Sequence, residues 1–100
     1  MDNNIRTLLT IITELSLEST LVKELKTLGA HGYTITNARG KGSRGVRGAD
    51  WDVDSNIRVE VLCTAEVAQA IGKRMQDKYY DNYAMVMFSS DVSVFRPEKF

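Results

Sequence analysis

Two stretches of this chain repeat their apolar residues at helical spacing, and each is bracketed by runs rich in β-branched residues. Leu17, Leu21, Leu25 and Leu28 recur every three or four positions, and so do Ala68, Ile71, Met75 and Tyr79. A stripe of that period is what a helix buries against a neighbouring layer. Before the first stripe, Ile5 to Thr13 is β-branched and apolar on both faces, the pattern of a central strand. After it, Gly32 to Ala38, GYTITNA, has strand composition. The cleanest alternation begins at Ile57: Ile57, Val59 and Val61 point one way, Arg58 and Glu60 the other. Tyr83 to Ser90 makes a fourth strand and Val92 to Phe95 a short fifth, with Pro97 arguing against further regular structure. Ser16 and Thr64 are positioned to N-cap the two helices, and Gly29 to close the first.

This order predicts an α+β, ferredoxin-like βαββαβ sandwich, in which both helices cover one face of an antiparallel sheet. One hundred residues suit a single domain, spanning 1–100. Two layers leave the second sheet face bare, yet the first strand carries Leu8 and Ile12 as well as Ile5, Leu9 and Ile11. A bare apolar sheet face is an association site, so an oligomer covering it is expected.

About sixteen residues, Gly40 to Ser55, separate the second and third strands, where a hairpin needs only about two to five. The stretch RGKGSRGVRG, residues 39–48, opens this connection with four of the chain's seven glycines, four basic side chains and no acid. Glycines let backbone N–H groups approach a phosphate closely, and Arg39, Lys41, Arg44 and Arg47 can neutralise it. A solvated basic tip is the competing reading, and nucleic-acid backbone binding a second functional one. The third strand lacks the aromatics that stack bases in RNA-binding sheets, and 13 basic against 13 acidic residues exclude a generalised polyanion binder. The tip, Asp50 to Asp54, imitates half an EF-hand but has Ser55 where glycine is needed and Val61 where the bidentate glutamate belongs. Trp51 within it is either a partner anchor or folded back on its own subunit.

His31 and Cys63 are the sole residues of their types, so neither a zinc site nor a Cys-His pair can form within one chain. His31 is expected to cap or solvate the C-terminal end of the first helix, and Cys63 to pack on a strand. Glu60 can accept from a ligand or pair with Arg58. No nucleophile, base and oxyanion site assemble, so no enzyme is expected. The N-terminus lacks the marks of a signal peptide and no apolar run is long enough to span a bilayer, consistent with a cytoplasmic protein.

The segment GAHGYTITNARGKGSRGVR resembles the G-A-x-G-Y-T-[VI]-x-N-x-x-G-K-G-S-R-x-V-R pattern of PII-like regulators linked to bicarbonate uptake in cyanobacteria and carboxysome-bearing bacteria. NIRVEVL and KYYDNYAMVMF continue the similarity, from about Ile5 to Phe88. The resemblance implies a homotrimer binding adenine nucleotides in clefts between subunits, with the long connection (the T-loop, about 40–55) closing on the phosphates and meeting a target protein. It places Thr34, Glu60 and Leu62 beside the adenosine, Gly40, Lys41, Gly42 and Ser43 at the phosphates, and Arg44 and Arg47 over them. It further implies bicarbonate as a co-ligand; the expected partner is an inorganic-carbon transporter that recruits the protein to the membrane, and no cofactor or metal is expected. Conventional PII proteins carry a T-G-x-x-G-D-G-K loop after the second helix. Here YYDNYAMV occupies that place, which favours ADP or AMP over ATP. Met85 replaces a glycine of the cyanobacterial members and is expected to crowd cyclic AMP. The RPEKF terminus lacks the paired cysteines of some relatives, so redox control is not expected.

Overall fold

The computed structural model describes residues 4–40 and 55–100. Its elements are β1 (Ile5–Glu14), a 3-10 turn (Leu15–Leu17), α1 (Glu18–Thr27), β2 (Thr34–Ala38), β3 (Asn56–Cys63), α2 (Ala65–Lys78), β4 (Met85–Ser93) and a second 3-10 turn (Pro97–Lys99). The strands lie in the order β2-β3-β1-β4, every neighbouring pair antiparallel. The ferredoxin-like arrangement expected from the periodicities is therefore present.

The core forms because the strand and helix periods agree on one face. Leu9 and Ile11 of β1 and Ile57, Val59, Val61 and Cys63 of β3 pack against Leu21 and Leu25 of α1 and Ala68, Ile71 and Met75 of α2. Ile11, Ile57, Val59, Val61, Leu21, Ile71 and Met75 are wholly buried. With a period of two, the intervening residues must lie on the other face. Register puts Leu8 opposite Leu62, Ile12 opposite Val86, and Thr10 between Glu60 and Phe88. Val86 and Phe88 remain 48% and 50% exposed there, the bare apolar face anticipated above.

Helix ends are set locally. Gly29 has φ +98°, a left-handed conformation that favours glycine. The Gly29 N–H donates to Lys26 and the Ala30 N–H to Leu25, which together form a Schellman cap. At the start of α2, Thr64 Oγ1 accepts from the Val67 N–H at 3.3 Å, as expected. Ser16 does not cap α1. The chain already winds as a 3-10 turn from Leu15, where the Leu15 N–H donates to the Ser55 carbonyl, and Leu17 takes the cap position without a side-chain bond. The second strand begins at Thr34 rather than Gly32, and β4 at Met85 rather than Tyr83. No separate fifth strand exists among the described residues: β4 runs unbroken to Ser93 because its ladder with β1 continues through Ser89, Ser90 and Asp91. Pro97 starts a 3-10 turn instead of ending regular structure, since its fixed φ suits a first helical position.

The connection from α2 to β4 is pinned at both ends. The Tyr79 hydroxyl donates to Glu24 Oε2. At Ala84, the carbonyl accepts from Thr13 Oγ1 at 2.6 Å and the N–H donates to Glu14 Oε2 at 2.7 Å.

Candidate functional site

Antiparallel pairing of β2 with β3 sets Thr34 directly opposite Glu60. Period two carries Leu62 onto the same face, and the β1–β3 register brings Leu8 beside it. These four residues line a cavity of about 500 Å³ on the sheet face turned away from the helices. Gly32 and Tyr33, from the segment entering β2, and Phe100 complete its lining. Two leucines thus give an apolar surface, while a hydroxyl and a carboxylate give polar partners, the composition of a small-molecule site.

Glu60 also accepts from Arg58 Nε at 3.3 Å, with both side chains partly exposed. The pairing expected of this carboxylate is present, and it coexists with its place in the cavity. At that exposure the ion pair contributes little to stability and leaves Glu60 open to a ligand donor.

Of the residues singled out from the sequence, Thr34, Glu60 and Leu62 converge on this one cavity. Gly40 lies two residues beyond the end of β2, the strand that carries Thr34, and a side chain added there would meet nothing within 4 Å. Lys41, Gly42, Ser43, Arg44, Arg47 and Trp51 lie outside the described residues. Leu8, Gly32, Tyr33 and Phe100 were not anticipated. Leu8 carried a usable signal, since its alternation in β1 put it on the bare face; Phe100 carried none.

Two other expectations change. Met85 packs against the core from the helix-facing side of β4, opposite Thr13, so its side chain does not crowd this cavity. His31 does not cap α1, whose end is closed by backbone bonds; its Nδ1 sits 3.3 Å from the Lys99 carbonyl oxygen. Cys63 packs as expected, and burial pushes its thiol pKa up, away from reactivity. Among the described residues no group of three or more His, Cys, Asp or Glu could hold a metal ion, and no helix is long and apolar enough to cross a membrane.

Comparison with known proteins gives this geometry a context. The chain is similar in structure to a PII-like protein from Thermus thermophilus, with 48% identity over 100% of this chain and 99% of that one and a TM-score of 0.82. It is similar to CPII, a nitrogen regulatory PII-like protein from Thiomonas intermedia. Against the form of CPII bound to ADP and bicarbonate, identity is 30% over 96% of this chain and 94% of that one, with a TM-score of 0.80. Against the form bound to ADP, AMP and bicarbonate it is 27% over 96% and 93%, with a TM-score of 0.79. The family model for nitrogen regulatory protein P-II matches residues 6–99. With the fold, the register and the family model in agreement over nearly the whole length, the chain belongs to the P-II family.

Proposed function

We propose that this chain is a PII-like regulatory protein, not a catalyst, that binds ADP or AMP in the cavity lined by Thr34, Glu60 and Leu62. The observation that carries this reading is the convergence of those three residues on one cavity, on the strands from which the glycine-basic connection springs. Leu8 and Leu62 offer an apolar surface to a base, while Thr34 and Glu60 offer hydrogen-bond partners to its amine or to a ribose hydroxyl. Gly40, Lys41, Gly42 and Ser43 would follow the phosphates, with Arg44 and Arg47 neutralising them. The nucleotide complexes of CPII support the ligand class, and its bicarbonate complexes support bicarbonate as a second ligand.

In this reading residues 1–100 form one domain of a cytoplasmic homotrimer whose subunits cover the face bearing Val86 and Phe88. The segment of about 40–55 is the T-loop, which reports occupancy to a partner, an inorganic-carbon transporter that recruits the protein to the membrane. Ordering such a loop costs roughly 1–2 kcal/mol per residue, so ligand contacts offset only part of it.

Titration calorimetry with AMP, ADP, ATP and cyclic AMP, with and without bicarbonate at one ionic strength, tests this. ADP or AMP should bind at micromolar concentration and more tightly than ATP, with affinity shifted by bicarbonate. Arg44→Ala and Arg47→Ala should each weaken ADP. Unchanged affinity in both would remove the phosphate assignment; binding to RNA or DNA but to no mononucleotide would replace this reading with a nucleic-acid one.

A further inference from the structure

The turn Pro97–Lys99 ends at Phe100, which lines the cavity of Leu8, Thr34, Glu60 and Leu62. Phe100 also lines a smaller cavity of about 40 Å³ together with Gly29, His31 and Val67, and Leu62 borders both. Phe100 and Leu62 are thus the wall the two cavities share.

What holds Phe100 there is polar. Arg6, on β1, donates from Nε to the Phe100 carbonyl at 3.1 Å and from Nη2 to the Pro97 carbonyl at 2.8 Å. The His31 Nδ1 contact to the Lys99 carbonyl adds a third point when that nitrogen carries the proton. The turn contains no fully buried residue, and Phe100 itself is only partly buried. A segment held by a few hydrogen bonds opens far more easily than the sheet it rests on.

We propose that Phe100 is a base-contacting wall of the nucleotide cavity that sets affinity, and that Arg6 is the positioning residue that latches it there. The proposal rests on the nucleotide reading of the cavity. Leu8 and Leu62 give one apolar surface, and an aromatic ring beside them gives a flat base a second. Contact of a base with an aromatic face is a strong, sequence-tolerant interaction. Arg6 touches no ligand; it acts by fixing the turn that carries the ring.

Two measurements on the full-length protein test it. In calorimetry with ADP, Phe100→Ala should weaken binding about tenfold, whereas Phe100→Tyr should bind nearly as the parent does. Arg6→Gln should weaken it severalfold, and Lys73→Ala, in an exposed ion pair on α2, should leave it unchanged. Hydrogen exchange without ligand reads the latch: Arg6→Gln should speed exchange at the Lys99 and Phe100 amides, which bond Arg96 and Pro97, but not at Val94, which bonds Asn4. If the parent binds ADP and Phe100→Ala binds it equally well, the wall is wrong while the nucleotide reading stands. If the parent binds no nucleotide, the functional reading and the wall fall together, and hydrogen exchange alone decides the latch. Unchanged exchange in Arg6→Gln overturns the latch.

Discussion

The Tyr79 hydroxyl donates a 2.6 Å hydrogen bond to Glu24 Oε2, joining the end of α2 to α1 across 55 positions of sequence. Glu24 is 8% exposed, and its carboxylate also accepts from Arg74 Nη1 at 2.7 Å and Lys78 Nζ at 3.4 Å. Lys78 lies 5.7 Å from the centre of the Tyr79 ring. This cluster ties the two helices together directly before the connection that leads into β4. It leaves Glu24 a charge that is buried but surrounded by donors, the condition under which such a group stabilises a fold.

Removing one side of this cluster should therefore be expensive. Tyr79→Phe deletes a hydrogen bond to a charged acceptor and should cost about 1.5–3 kcal/mol in urea unfolding. Glu24→Ala leaves the buried Tyr79 hydroxyl without its acceptor, while Arg74 and Lys78 are exposed enough for water to replace the carboxylate, and should cost about 1–3 kcal/mol. The double variant should cost less than the sum, because the two residues share one bond.

The same cluster predicts stability that declines at both ends of the pH scale. The Tyr79 hydrogen bond, aided by Lys78 and Arg74 and opposed by burial, holds the Glu24 pKa below its ordinary 4.5. Its contribution is present above 4.5 and is lost as pH falls through the depressed folded value. Burial, then the bond to Glu24, pushes Tyr79 up to about 12 from 10. Its contribution is present below 10 and is lost as pH rises towards about 12. Urea midpoints across pH should show both losses. In Tyr79→Phe the alkaline loss should shrink to the part that buried Cys63 contributes, and the acid loss should shrink too; an unchanged profile would mean that the bond does not set these ionisations.

Gly29→Ala tests the cap of α1 by conformation alone. An added Cβ would meet only Val67 Cγ2 at 3.8 Å, an ordinary contact, so space is not the obstacle. The cost is that of an L-residue at φ +98°, about 1–2 kcal/mol in thermal or urea unfolding. Gly72→Ala, inside α2 with open space at its Cβ position, should instead stabilise by up to about 1 kcal/mol.

Phe88→Glu tests the proposed assembly. Phe88 stands half-exposed on the bare sheet face beside Val86, and a carboxylate there leaves the core under the helices untouched. Sedimentation should show a trimer for the parent and smaller species for the variant, with far-UV circular dichroism of both alike. A variant that stays trimeric would move the interface off this face.

The two stripes of helical period and the alternation from Ile57 were enough to read the element order, because one buried face per element leaves a periodic trace in local sequence. Gly29 and Thr64 were legible for a similar reason: each cap is satisfied by residues within a few positions. The break expected after Ser90 failed because local polarity says little about an edge strand. β4 pairs only with β1, and its backbone ladder continues through Ser89, Ser90 and Asp91 while their side chains remain exposed. Ser16 failed because a long-range bond from Leu15 to Ser55 had already set the turn before α1. The roles of Thr34, Glu60 and Leu62 came from a resemblance, and strand register is what brings them into a common cavity.

By itself, then, the sequence determined the order of the main elements, the caps at Gly29 and Thr64 and the two apolar faces of the sheet, since these depend on periods of 2 and 3.6 residues and on the conformational range of single residues. Only the tertiary structure decided which side chains meet: Thr34 opposite Glu60, Leu8 beside Leu62, Tyr79 on Glu24, and Arg6 holding Phe100 across 94 positions. Those meetings follow from strand order and register. They are chosen by the burial of the whole helix-facing core rather than by any one segment, and each pair on the opposite face is carried into place by that choice.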